Sequence, residues 1–210
     1  MVDLEGKKNI IFDLGGVLLN IDYERTSEAF KSLGLNSFDE IYSQKKQSGL
    51  FDQFEIGEIS KEEFVEEIVE VLPSAKVDDV INAWNAMLLD FPVHRLLFLQ
   101  KLKGDYRVFL LSNTNQIHED EFVKIITESY GKNVLFDQFE EVYLSHKIGH
   151  RKPDSTCFEY VLQHSKLKAA ETIFIDDTIQ HIEGAKEVGI DAYFLSQGQE
   201  ITQLFPDKFR

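Results

Sequence analysis

Four short runs of apolar residues, Ile10–Phe12, Val108–Leu111, Ile173–Ile175 and Ala192–Leu195, constrain the fold of this chain more than any other feature. None of them alternates apolar with polar, so each reads as a strand buried on both faces of a parallel sheet. Amphipathic segments lie between the runs. "VHRLLFLQKLKG" ends at Gly104, which reads as a left-handed C-terminal cap. "PDSTCFEYVLQHSK" opens on Pro153, which a first helical turn tolerates, and repeats apolar residues at Phe158, Val161 and Leu162. Alternation of strand and helix predicts the α/β class, with a Rossmann-like, doubly wound parallel sheet.

Between Asp22 and Pro92 the helical period continues while the strand runs disappear. Ser60 and Glu63 form a capping-box pattern ahead of Phe64, Ile68 and Val71, and Val77, Ile81, Trp84 and Leu88 share one helical stripe. The expected organisation is a core of residues 1–18 and 93–210 with a small α-helical cap, residues 19–92, inserted after the first strand. Trp84 and the phenylalanines of this insertion read as its own core. A module inserted there lies beside the C-terminal ends of the strands and is placed to cover a site at that edge.

Charge narrows the partners. The 210 residues carry a formal net charge of −15, which repels a phosphate backbone or an anionic bilayer, so neither nucleic acid nor membrane is an expected partner. An anionic small molecule needs a local positive site. Cys157 is the only cysteine; it excludes an internal disulfide, suits a reducing compartment, and reads as a packed helix residue rather than a nucleophile. The opening "MVDLEGKKNI" lacks the basic-then-apolar order of a secretory signal, so the expected location is the cytoplasm. Oligomeric state has no signature in the sequence.

Selected polar residues follow the apolar runs at once: Asp13 after the first, Ser112 and Asn113 after the second, Asp176 and Asp177 after the third. In a doubly wound sheet these positions converge at the carboxyl ends of the strands, where ligands bind. The basic stretch "HKIGHRKP" adds Lys147, Arg151 and Lys152 just before a helix N-terminus, which favours anions. Three carboxylates brought together call for a cation, and an all-oxygen site suits Mg²⁺. Lys152 and the ion would offset a phosphoryl charge, Ser112 and nearby backbone N–H groups would hold its oxygens, and Asp13 would be left as nucleophile.

These motifs resemble the haloacid dehalogenase-like hydrolase superfamily: "FDLGGVL", "LLSNTN", "HRKPD" and "FIDDTIQHIEGA" occur in the family's order between Ile10 and Ile190. The resemblance implies Asp13 as nucleophile, Ser112 and Asn113 on phosphate, Lys152 as the charge-balancing lysine, and Mg²⁺ held by Asp13, Asp176, the backbone carbonyl of Gly15 and Asp177 at the metal or one step behind it. It also implies a substrate that is a small phosphorylated metabolite, such as the sugar phosphate glucose-1-phosphate.

Two positions depart from the family pattern. Gly15 stands where most family phosphatases carry an Asp that serves as general acid and base, and His181 stands where Asn is common. A general acid is worth about 10² to 10⁴ in rate. The expected activity is therefore Mg²⁺-dependent phosphatase chemistry through phospho-Asp13, with a leaving group acidic enough to depart without help. His118 is one candidate replacement source of protons, although on its own it reads as an exposed helix residue. The alternative is a protein that binds a phosphometabolite or a partner without turnover. Dehalogenase chemistry has no use for the Asp176–Asp177 pair, and in a receiver domain the acidic pair precedes the phosphorylated aspartate instead of following it. Asp22, Tyr23, Phe54, Glu55 and Trp84 are the cap candidates for substrate contact.

Overall fold

The computed structural model describes residues 1–43, 46–47, 49–72 and 74–209. Strand β1 (Asn9–Phe12) is followed by a helical unit of α1 (Tyr23–Ser32), α2 (Phe38–Ile41), a hairpin of β2 (Tyr42–Ser43) and β3 (Lys46–Gln47), α3 (Gly49–Glu55), α4 (Lys61–Val71) and α5 (Val77–Asn85). The chain continues through α6 (Val93–Leu102), β4 (Arg107–Ser112), α7 (Gln116–Tyr130), β5 (Glu141–Leu144), α8 (Ser145–Ile148) and α9 (Ser155–His164). It ends with β6 (Thr172–Asp176), α10 (Ile179–Glu187), β7 (Asp191–Phe194) and short 3₁₀ turns.

Five strands form one parallel sheet in the order β5-β4-β1-β6-β7. The first strand is central because its residues pair on both sides, Phe12 lying level with Leu110 of β4 and Ile175 of β6. Its side chains alternate between two cores, as a strand's period of two demands. Ile10 and Phe12 pack with Val108, Leu110, Ile173 and Ile175 under α6 and α7. Ile11 packs with Phe109, Leu111 and Phe174 under α9 and α10, where Cys157, Phe158, Val161 and Ile182 close the other face. The sheet is covered on both sides, as its unalternating runs require. Edge strand β5 has no counterpart among the four apolar runs: its first residue, Glu141, is exposed and only Tyr143 and Leu144 are buried, so its sequence does not look like a buried strand.

Two local expectations are corrected. Helix α6 ends through a right-handed cap residue, Lys103 (φ −57°, ψ −21°), and Gly104 is not among the residues with positive φ. Helix α9 starts at Ser155 after Asp154, so Pro153 lies before the helix and not in its first turn.

The helical unit has its own aromatic core. Phe30 stacks on Phe38 with ring centroids 4.5 Å apart, and Phe54 on Phe64 at 4.3 Å. Trp84 is buried among Phe51, Phe64 and Phe30. The Ser60–Glu63 capping box starts α4 as its sequence predicts. Entry and exit chains run antiparallel beside each other, with Asn20 N–H donating to Asp90 O, Leu89 N–H to Asn20 O and Asp22 N–H to Met87 O. This pairing holds the unit over the carboxyl end of β1. No helix among the described residues is long and apolar enough to cross a membrane.

Candidate active site

The carboxyl ends of β1, β4 and β6 place Asp13, Ser112 and Asp176 side by side. Asp13 follows Phe12 directly and donates its backbone N–H to Ile175 O (2.9 Å), which brings it level with Asp176 on the neighbouring strand. One oxygen each from Asp13, Asp176 and Asp177 fall within 4.8 Å of one another. Into this group reaches Lys152, fully buried, its Nζ 2.8 Å from Asp13 Oδ1 and 2.6 Å from Asp176 Oδ2.

The loop carrying Lys152 is fixed from two directions. Asn113 clamps its backbone, donating Nδ2–H to Lys152 O (2.8 Å) and accepting Lys152 N–H at Oδ1 (2.9 Å). Behind it, α10 comes so close that a Cβ on Gly184 would lie 2.1 Å from Pro153 O. Gly16 is required for a second reason: its φ is +74°, and a Cβ there would lie 2.0 Å from Asp177 Oδ2. Asp176 Oδ1 accepts Thr178 N–H at 2.8 Å, so it also braces the start of α10, while His181 Nδ1 lies 3.0 Å from both Asp176 oxygens.

Burial and mutual repulsion govern the charges. Burial is the largest influence on Asp177, with Asp13 and Asp176 next, and together they push its carboxyl up to about 7. Burial also raises Asp13, and Asp176 adds to that, against the opposing pull of Lys152. Burial alone would raise Asp176, yet Lys152 and His181 hold it down to about 2. Lys152 would lose its proton more easily for being buried, but Asp13 and Asp176 raise it above the ordinary lysine range. One ammonium thus faces three acids. A divalent cation among them would remove the repulsion that raises Asp13 and Asp177, and their oxygen-only donor set suits Mg²⁺.

A cavity of about 70 Å³ opens at this point. Asp13, Gly15, Ser112, Asn113, Lys152 and Asp177 form its floor, with Thr178 and His181 beside them. Tyr23 and Glu55 of the helical unit and Arg151 of the sheet loop form its outer wall. All the residues singled out at the strand ends therefore meet. Lys147 does not; it pairs with Glu119 (2.5 Å) and is more than half exposed.

Of the cap candidates, Tyr23 and Glu55 reach the cavity. Phe54 and Trp84 are packed in the helical core, and Asp22 caps α1 by accepting Glu24 N–H. His118 is corrected: it is buried rather than exposed, stacks on Trp84 at 5.0 Å, meets Asn85 through Nδ1, and is not among the cavity residues. Burial pushes its ring down to about 3, so it is neutral and no source of protons for this site. Cys157 is buried with its thiol pushed up to about 12 by burial, as a packed helix residue should be.

The outer-wall pairing and the two glycine contacts lie outside the sequence reading. Gly184 did carry a signal, since a glycine inside a helix costs about 1 kcal/mol relative to alanine and so points to a packing reason. Arg151 and Glu55 were each singled out, but their pairing across 96 residues carried no signal.

The chain is similar to known proteins over most of its length. Residues 7–189 match the haloacid dehalogenase-like hydrolase family. The chain is 31% identical to a D-ribitol-5-phosphate phosphatase of Bacteroides thetaiotaomicron, over 94% of this chain and 98% of that one. It is 29% identical to a sesquiterpene phosphatase of Aspergillus oryzae, over 94% and 96% of the two chains. Among solved structures, a haloacid dehalogenase family enzyme of Bacteroides thetaiotaomicron in complex with magnesium and inorganic phosphate superposes with a TM-score of 0.86. The identity is 36%, and the match covers 95% of this chain and all of that one.

Proposed function

The chain belongs to the haloacid dehalogenase-like hydrolase family, as a phosphatase with Mg²⁺ as its cofactor, and on that premise we propose that it hydrolyses phosphate monoesters of small polyhydroxy compounds through phospho-Asp13. The observation that carries this reading is the buried Lys152 ammonium bridging Asp13 and Asp176 at the floor of the cavity. Asp13, Asp176 and Asp177, with the Gly15 carbonyl, would hold the ion. Bound Mg²⁺ supplies positive charge against the phosphoryl oxygens.

The chain's own groups divide the remaining work. An Asp13 oxygen attacks phosphorus, the P–O bond to the substrate's alcohol breaks, and water then cleaves the acyl phosphate to release inorganic phosphate and restore the carboxylate. Lys152 stays charged throughout and offsets the equatorial oxygens, while Ser112 Oγ–H donates to one of them. Asn113 keeps the lysine in register through its backbone. No carboxyl at residue 15 protonates the leaving oxygen. A Cβ at that position would stand 3.1 Å from Ile21 Cδ1, so the end of that side chain would have to shift by a few tenths of an ångström to admit one. Water in the open cavity delivers the proton instead.

Polar lining supports the substrate class. Tyr23, Glu55 and Arg151 face the leaving-group side, an unfavourable wall for a terpenoid chain and a favourable one for hydroxyl groups. Within that class, glucose-1-phosphate has the more acidic leaving oxygen, and ribitol-5-phosphate is an ester of a primary alcohol.

The test is a panel of these two esters, a prenyl phosphate and p-nitrophenyl phosphate, with and without Mg²⁺, on wild type and Asp13→Asn. Turnover should need Mg²⁺ and be lost in Asp13→Asn by at least about 10⁴. Equal rates for the two proteins would sink the mechanism. Gly15 also favours a second reading, binding without turnover, and absence of hydrolysis of every ester by wild type would favour that one.

A further inference from the structure

The first turn of α7 is joined to both parts of the site. Asn115, the residue that caps this helix, comes just after Ser112 and Asn113 of the cavity floor. Thr114 between them is fixed by Ser145, whose Oγ accepts Thr114 N–H and donates to Thr114 O at 2.8 Å each. The same turn receives α5 of the helical unit. Trp84 lies flat on the His118 ring at 5.0 Å, with an interplanar angle of 7°, and donates Nε1–H to Asn115 Oδ1 at 3.3 Å. That oxygen also accepts His118 N–H at 3.0 Å. Asn85 Oδ1 stands 3.0 Å from His118 Nδ1, and an amide oxygen only accepts, so the neutral ring carries its hydrogen on Nδ1. Ile117 beside it belongs to the apolar cluster of the helical unit. His118 is thus a buried group that the chemistry leaves unused, at the junction of the two parts.

From α5 the fastening continues to the cavity. Thr26 of α1, fully buried, donates Oγ1–H to Trp84 O and accepts Met87 N–H, both at 3.1 Å, which ties α1 to the end of α5. Tyr23, one turn before Thr26 on the same helix, lines the cavity. We propose that His118 is a positioning residue: it fastens α5 to the turn that follows Ser112 and Asn113, and through Thr26 it holds the Tyr23 end of α1 at a set distance from the cavity floor. A leaving group that fills the space between floor and wall then meets a wall already in place, and its binding loses nothing to ordering that wall. The phosphoryl group itself rests on the floor and does not need the fastening. The inference rests on the phosphatase reading above and deepens it.

The experiment compares wild type with three variants. His118→Ala removes ring and donor, His118→Asn keeps a donor near the place of Nδ1, and Thr26→Val cuts the next link with little change of shape. KM for a sugar-alcohol phosphate should rise about tenfold in His118→Ala and Thr26→Val and about threefold in His118→Asn, with kcat within about threefold of wild type. Affinity for inorganic phosphate with Mg²⁺, measured by calorimetry, should stay within about twofold. Loss of folded protein would lower kcat alone. KM unchanged within about twofold, or phosphate affinity falling in step with KM, would therefore overturn the proposal. The two milder variants carry the test if His118→Ala does not fold. Hydrogen exchange on the same proteins is independent of turnover: amides of α1 and α5 should exchange faster in the variants while those of β1 and β4 keep their rates. Wild-type rates in α1 and α5, or equal acceleration in all four elements, would leave His118 a core residue only. Absence of hydrolysis by wild type would refute the phosphatase reading and with it the role in ester binding, while the exchange pattern still decides whether His118 fastens α5 to α7.

Discussion

Replacing Gly184 by alanine tests whether the packing of α10 sets the position of Lys152. The new Cβ would fall 2.1 Å from Pro153 O, 3.1 Å from Pro153 C and 3.2 Å from Phe158 Cε2. Two of those atoms belong to backbone and cannot turn aside, so α10 and the Lys152–Pro153 segment must separate by roughly 1 Å to restore a normal contact. Overpacking of this kind costs about 1–3 kcal/mol, against a gain of about 1 kcal/mol from alanine's better helix propensity. The net loss, up to about 2 kcal/mol, corresponds to a fall in Tm of up to about 8 °C for a chain of this size. The effect on rate should be larger, because a misplacement of about 1 Å at a charge-balancing group can cost about 100-fold. Thermal unfolding and steady-state hydrolysis on the same preparation measure both. A variant with wild-type Tm and a rate within about twofold of wild type would show that the loop yields freely, and that α10 does not hold Lys152.

Two further predictions probe the same neighbourhood and the helical unit. Gly16→Ala should destabilise by about 1–2 kcal/mol for a left-handed alanine, and should lower Mg²⁺ affinity in calorimetry by at least about tenfold, because the Asp177 carboxylate must leave its place; unchanged affinity would remove Asp177 from the metal set. His118, lowered from 6.5 to about 3 by burial, gives stability that is complete above its unfolded pKa and is lost as pH falls from about 6.5 toward 3. Urea unfolding of His118→Gln across that window should therefore show a pH slope shallower by up to about 1.4 kcal/mol per unit, and equal slopes would refute the buried neutral ring.

The fold was legible where residues carried a period or an unbroken apolar run. Ile10–Phe12, Val108–Leu111 and Ile173–Ile175 announced central strands because both of their faces are buried, and the strand-end residues Asp13, Ser112 and Asp176 followed from topology alone. Edge strand β5 was not legible, since its exposed first residue breaks the run. Gly104 and Pro153 misled for a related reason: each is compatible with a helix boundary, but the cap that forms depends on the backbone the neighbours impose. His118 looked like a surface residue because nothing local records that Trp84, on another helix, lies across its ring.

The candidate site divides along the same line. Which groups could do the chemistry was written in the sequence, because carboxylate, hydroxyl and ammonium side chains at strand ends have few other uses in combination. The loss of an acid at Gly15 was equally plain. Only the tertiary structure decided how those groups stand toward one another: that Lys152 is wholly buried between Asp13 and Asp176, that Ile21 lies against Gly15, and that Glu55 and Arg151 pair at the cavity. Residue type determines chemical capacity, which is local; distance, burial and the resulting shifts in proton affinity arise from contacts between segments far apart in the chain, and no local pattern encodes them.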